Sequence, residues 1–358
     1  MGIRFTYGYG YCYFVAKYFQ ENLADSDEET SRNQLYEKLK AISERVYNEN
    51  NANIVIFYVF LTKDRKLINH IISNARQIFN ESPEFDFDSQ IQFLNRIIGP
   101  PVQVSLPASR PDENQQAYDQ RRDEAGEEIE PNGDPGVGDV LYSSNIPFEQ
   151  KLIIGIRYLT LMGQILRNFP GSLKADTKLD LAFESYSLGL RVLATIFILS
   201  QRDSEMLTRD IARILRDRMA FSGTERELMD RAELIVVEML RNVTYGLLKR
   251  ISHAVGLSEL EDTYIEVAEL RDNNLADKFV HLSIHLDHFE HFPKREIENV
   301  KAEVHGNNFS FQTLQDLVLN HLYLFPRDYS IQQWSGSTLN VKVNTPSIRG
   351  SEKKLLNG

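Results

Sequence analysis

The chain has 358 residues, 42% of them hydrophobic and 25% charged, which excludes a wholly disordered polymer and allows about two domains of ordinary size. Its 40 Lys and Arg against 51 Asp and Glu leave a formal net charge of −11, so a broad positive field for a phosphate backbone is excluded and no nucleic-acid partner is expected. Cys12 is the single cysteine, which excludes an internal disulfide and a cysteine-based zinc site and favours a reducing compartment.

The first residues lack the basic stretch and apolar run of a secretion signal, and apolar runs such as Ile54 to Leu61 fall far short of the ~20 residues of a membrane span. A soluble, cytoplasmic protein with no membrane partner is expected.

Taken in chain order, residues 3–9 alternate at period two with Phe5, Tyr7 and Tyr9 on one side, which predicts a short strand or extended stretch. Phe14, Tyr18 and Phe19 then mark a helix over about 11–23, Ser26 is placed to cap the next helix, and Leu35, Leu39, Ile42 and Val46 give that helix its apolar stripe. Residues 52–61 have the β-branched and aromatic content of a buried strand, but helical neighbours and missing turn signals favour a buried helix. Leu67, Ile71, Ala75 and Phe79 predict another helix, and Phe87, Ile91, Leu94 and Ile98 one more before the prolines.

Between residues 101 and 140 lie ten acids and three bases, a local net of 3 − 10 = −7, with few apolar groups to offset the entropy of ordering. This segment reads as a solvated linker over 100–145; a short helix near Glu113 to Glu128 fits either that reading or an acidic scaffold for a partner. After it, Pro147 starts a helix carrying Leu152, Ile156, Leu159, Met162 and Leu166, and Phe169 to Lys174 is a break. Further helices follow over 179–197, 207–221, 225–253, 257–270, 275–291, 296–304 and 314–324. From about Trp334 the chain is polar, predicting a loose tail with one short strand near Leu339 to Val343. The expected fold is therefore all-α, with packed antiparallel helices in a domain over 1–99, the linker, a second helical domain over 146–330 and a tail over 331–358. Helix pairs of unequal length are also compatible with a solenoid.

Few residues carry chemistry. A Gly-x-x-x-x-Gly-Lys-Ser/Thr phosphate loop is absent; Gly171 to Lys174 and Gly133 to Gly138 read as turns, so no nucleotide cofactor is expected. His281, His285, His288 and His291 put four of the eight histidines within eleven residues. The first three share a helix side, a spacing that can present imidazoles to a metal with Asp287 and Glu290 behind them. The His-Glu-x-x-His arrangement is missing, however, and a solvated or interface face with no metal is the simpler expectation. Arg65 and His70 match the Arg-x4-His pattern of the HEPN class of helical ribonucleases, where Arg steadies phosphate and His moves protons. With 25 arginines and 8 histidines, one or two such pairs arise by chance, so the ribonuclease reading is only an alternative. Cys12, among Tyr11, Tyr13 and Phe14, reads as a packed small residue rather than a nucleophile.

Two blocks carry a resemblance. Residues 3–23, with their aromatic stretch leading into Tyr13-Phe-Val-Ala-Lys-Tyr18, resemble the end of the winged-helix segment of bacterial STAND NTPases of the NACHT-like kind. Residues 51–80, Gly163 to Lys174 and Glu184 to Leu193 are similar to the helical part that follows in those proteins. In that family the P-loop and Walker B acid lie upstream of the winged helix, so none of its catalytic residues has a counterpart here. The resemblance implies a C-terminal helical region that senses a trigger or restrains an NTPase core, in many cases in antiviral defence. It implies a non-enzymatic module whose partner is a protein, either an NTPase core supplied in trans or a second copy of the chain. Phe5, Tyr7, Tyr9 and Tyr11 are the expected interaction residues, because a winged-helix core would normally cover them.

Overall fold

In the computed structural model the described residues are 8–25, 28–100, 103–105, 111–127, 146–219, 223–325 and 327–342. They form an all-α protein of fourteen α-helices with one two-residue strand pair. The chain divides into two compact units, one of residues 1–98 with 136–291 and one of 99–135 with 292–358.

The larger unit holds α1 (Gly8–Asp25), α2 (Glu29–Ser43), α3 (Glu49–Thr62) and α4 (Arg65–Gln77). After the acidic segment it continues with α6 (Phe148–Asn168), α7 (Ala175–Arg202), α8 (Ser204–Met219), α9 (Glu225–Val255), α10 (Glu261–Leu270) and α11 (Leu275–His288). Side-chain caps set several starts. Asn48 accepts from the Asn51 amide at 3.3 Å, Asp64 from the Lys66 amide at 2.8 Å, and Asn274 from the Asp277 amide at 3.0 Å. Thr224 and Glu227 close a reciprocal capping box at the head of α9. The ambiguous stretch 52–61 lies in α3, where Ile54, Val55, Tyr58 and Val59 are buried.

The expected separation into domains at the acidic segment does not match these units, because α1 to α4 share a core with helices beyond it. Tyr158 of α6 donates to the Ser43 carbonyl at 3.0 Å. Arg191 of α7 donates to the Ala75 carbonyl at 3.1 Å and to the Ile78 carbonyl at 3.3 Å, tying α7 to the end of α4. Phe85 packs edge-on against Phe87 and Phe197, and Phe87 tilts against Phe279, at centroid distances of 4.6–4.9 Å. The 28-residue helix α7 is also long and apolar enough to cross a membrane, with most of that apolar window buried inside the protein.

Two helix predictions in this unit need correction. Residues 87–97 form successive turns instead of a helix, with mixed bonds such as Leu94 N to Ile91 O (2.9 Å) and Ile98 N to Leu94 O (3.0 Å). The Asp86 carboxylate captures the Asp88 and Ser89 amides at 3.0 and 3.1 Å, offering the backbone an alternative to the helix, while Phe87, Ile91, Leu94 and Ile98 are buried as their spacing implied. Phe79, expected as the last periodic residue of α4, lies beyond it with φ 56°. Ser26 lies outside the described residues, and α2 starts after Glu28 with no side-chain cap.

The smaller unit contains β1 (Val104–Ser105), α5 (Pro111–Glu127), α12 (Lys294–Glu303), α13 (Asn308–Leu324), α14 (Tyr329–Leu339) and β2 (Val341–Lys342). Part of the expected linker is thus built structure. Pro111 opens α5, Asp112 and Glu113 in its first turn suit the positive end of the helix dipole, and Asn114 is buried with its Nδ2 donating to the Tyr323 carbonyl at 2.9 Å. β1 pairs in parallel with β2, Val104 opposite Val341. The predicted strand near 339–343 is therefore present, whereas Trp334 sits inside α14 instead of a loose tail. The Gly133 to Gly138 loop lies outside the described residues.

Candidate functional site

The histidine cluster becomes a half-buried, two-sided polar site where α9, α10 and α11 meet. On one side, α11 projects His281 and His285 toward Glu261, the first residue of α10. His285 Nε2 lies 3.0 and 3.1 Å from the two Glu261 carboxylate oxygens, and His281 Nε2 lies 3.8 Å from the nearer one. The two imidazoles are 4.4 Å apart between centroids, and Phe289 stacks on His285 at 4.3 Å with an interplanar angle of 14°, which fixes that ring. His281 Nε2 is buried with no hydrogen-bond partner. Burial, aided by the His285 ring, pushes the His281 imidazole down to about 4.

On the other side, the C-terminal part of α9 presents Lys249, Ser252 and His253 to Asp287. The Asp287 carboxylate pairs with Lys249, accepts from Ser252 Oγ at 3.1 Å and lies 3.4 Å from His253 Nε2. Burial alone would raise this carboxyl, but His253 and Lys249 outweigh it and hold it down to about 2. Asp287 is therefore committed to α9 and does not stand behind the metal-competent histidines as expected. His288 packs against the chain beyond α9: a Cβ added at Gly256 would lie 2.2 Å from its ring, so only glycine fits there. His288 Nε2 is buried without a hydrogen-bond partner, and burial pushes the imidazole down to about 4.

His288 gives a pH prediction. In the unfolded chain it takes up a proton near its ordinary pKa of about 6.5, while the folded protein resists until about 4. Its contribution to stability is complete above about pH 6.5 and is lost as the pH falls toward 4, amounting to about 2 kcal/mol at pH 5. Around the ring, Asp287 pulls the other way, while His253, Arg167 and Lys249 reinforce the shift. Urea unfolding in EDTA at pH 7.5 and pH 5 should show His288→Gln losing about 2 kcal/mol less than the parent between the two values; equal losses would reject the assignment.

The other residues singled out by sequence are dispersed. Arg65 opens α4 and pairs at its tip with Asp176 at 2.5 Å, whereas His70, five residues on and thus about 140° around the helix, lies 3.1 Å from Glu44 and 3.2 Å from Asn74. Asp176 lies on α7, whereas Glu44 follows the end of α2 and Asn74 is on α4 itself, and the two do not converge on one substrate position. Cys12 is fully buried with its Sγ 3.5 Å from the Asn50 carbonyl, and burial pushes the thiol up, against nucleophilic use.

Phe5 and Tyr7 lie outside the described residues. Gly8 and Tyr9 already belong to α1, so the strand-like shared face does not extend to Tyr11: on a helix Tyr9 and Tyr11 diverge by about 200°. Tyr11, Phe14 and Tyr18, 44%, 58% and 55% exposed, instead form a stripe opposite the buried Cys12, Ala16 and Phe19. The three-four spacing of this stripe was present in the sequence. Comparison of the chain with known families, curated proteins and solved structures gives no match.

Proposed function

We propose that this chain is a non-enzymatic regulatory or sensor module that acts through protein contacts, with the Tyr11, Phe14 and Tyr18 stripe of α1 as its contact surface. The observation that carries this reading is the stripe itself: three aromatic side chains, each more than two-fifths exposed, aligned on one helix face opposite its buried side. Aromatic residues contribute large contact areas, and contiguous exposed apolar surface usually marks an interface. The resemblance of residues 3–23 to the end of a STAND winged helix supports an NTPase core of that kind as the partner. Antiviral defence in a bacterial cytoplasm is the setting that this resemblance suggests.

Affinity capture from cells that naturally make the protein tests the reading, with the bound proteins identified by mass spectrometry. The parent chain should retain a polypeptide with a P-loop NTPase core, and Tyr11→Ser/Phe14→Ser/Tyr18→Ser should lose at least tenfold of it. Surface positions of this kind typically change stability by no more than about 0.5 kcal/mol each, so the melting temperature should move little. Capture that is unchanged in the triple variant, or a parent that retains no such polypeptide, would reject the proposal.

A further inference from the structure

We propose that Glu261, His281 and His285 bind one divalent transition-metal ion of the zinc type, which ties the start of α10 to the middle of α11. This proposal is independent of the α1 contact surface.

The donor set is the first ground. Two imidazole nitrogens and a carboxylate suit zinc and its neighbours, and one ligand atom from each of the three residues lies within 4.8 Å of the others. Zinc bonds of about 2.1 Å in a tetrahedral arrangement put ligand atoms about 3.4 Å apart. The 3.0 Å from His285 Nε2 to Glu261 and the 3.8 Å from His281 Nε2 to Glu261 bracket that value. Small rotations of the side chains would seat an ion.

The second ground is that hydrogen bonding leaves the arrangement incomplete. Glu261 satisfies His285, but His281 Nε2, buried and lying toward the same carboxylate, has no hydrogen-bond partner. Folded proteins rarely leave such a group unsatisfied. A cation between the three residues satisfies both imidazoles and the carboxylate together. Backbone geometry prepares the site as well: His281 and His285 are one turn apart on α11, Phe289 holds the His285 ring, and Tyr264 of α10 lies 6.4 Å from the His281 ring. Three protein ligands and partial exposure leave a fourth position for water.

Titration calorimetry of the tag-free full chain with zinc, cobalt spectroscopy and thermal melts test the site. One equivalent of zinc should bind with micromolar or tighter affinity, cobalt should give the intense visible bands of a low-coordinate site, and the melting temperature should rise with zinc and return with EDTA. His281→Ala and His285→Ala should each weaken binding by more than tenfold. Glu261→Gln keeps side-chain size at a half-exposed position, so it tests the same loss should a histidine variant fail to fold. His291→Ala, at an exposed histidine outside the triad, should bind as the parent does. Absence of a stoichiometric site in the parent, or parental affinity in Glu261→Gln and the histidine variants, would overturn the proposal.

Discussion

Replacing Arg271 with Ala should cost about 3–5 kcal/mol of folding stability, read from urea unfolding of the parent and variant. The guanidinium is 3% exposed and serves three residues: Nε donates to Asp277 at 2.7 Å, one terminal nitrogen to Ser187 Oγ at 2.7 Å, and the other to Glu84 at 2.5 Å. Asp277 is fully buried and Glu84 about one-third exposed, so truncation leaves a buried carboxylate with its opposing charge gone. That loss, more than the pair's net worth, sets the magnitude, because a buried ion pair can be close to neutral against an apolar substitute. Burial already pushes the Asp277 carboxyl up against the pull of Arg271, so without the cation it must take up a proton. The variant's deficit should accordingly shrink as the pH is lowered, and Arg271→Ala/Asp277→Asn should recover part of it. Arg271→Lys keeps the charge but cannot fork to three partners and should fall between the parent and the Ala variant. A loss below about 1 kcal/mol for Arg271→Ala would mean that the network is not formed.

This network also explains why the domain boundaries were not legible in the sequence. Glu84 and Arg271 are 187 residues apart, and neither belongs to a local pattern that would announce the pairing. Apolar periodicity, by contrast, is local, and it located α6, α7 and α9 because one helix face must be buried whatever lies against it, whereas the uniformly apolar α3 was legible only from its helical neighbours and missing turn signals. Where side chains competed for the backbone, as Asp86 does, the same periodicity still identified the buried residues but misread the turns as a helix. In the acidic segment, α5 buries Asn114, a polar residue whose value lies in one hydrogen bond to Tyr323, so counting apolar residues undervalued it.

The candidate site divides along the same line. His281 and His285 were visible as an i, i+4 pair because both ligands sit on one helix. Glu261 comes from α10, 20 residues before His281 and 24 before His285, and its position depends on the chain reversal between α10 and α11. The acids nearest in sequence drew attention instead, and Asp287 proved to face α9. Likewise, treating the aromatic N-terminal block as a strand grouped Tyr9 with Tyr11, whereas helical geometry separates them and joins Tyr11 to Phe14 and Tyr18.

Gly163→Ala separates local preference from tertiary packing most sharply. Gly163 lies in α6, where exchanging glycine for alanine should stabilise a free helix by about 1 kcal/mol. In the folded protein an added Cβ would lie 2.2 Å from the Ala254 carbonyl oxygen and 2.5 Å from its carbon, both backbone atoms of α9. No side chain can swing away from that contact, so α6 and α9 must separate, disturbing Met162, Leu166 and Ile251, all fully buried. Overpacking of this kind typically costs about 1–3 kcal/mol and occasionally more; with backbone on the far side, a net loss of about 3 kcal/mol is expected despite the gain in propensity. Gly246→Ala supplies the control on α9 itself, because that position is exposed and an added Cβ meets nothing within 4 Å. It should gain up to about 1 kcal/mol. Opposite signs for the two substitutions in parallel urea unfolding would establish the close crossing of α6 and α9; stabilisation by both would show that the helices do not approach there.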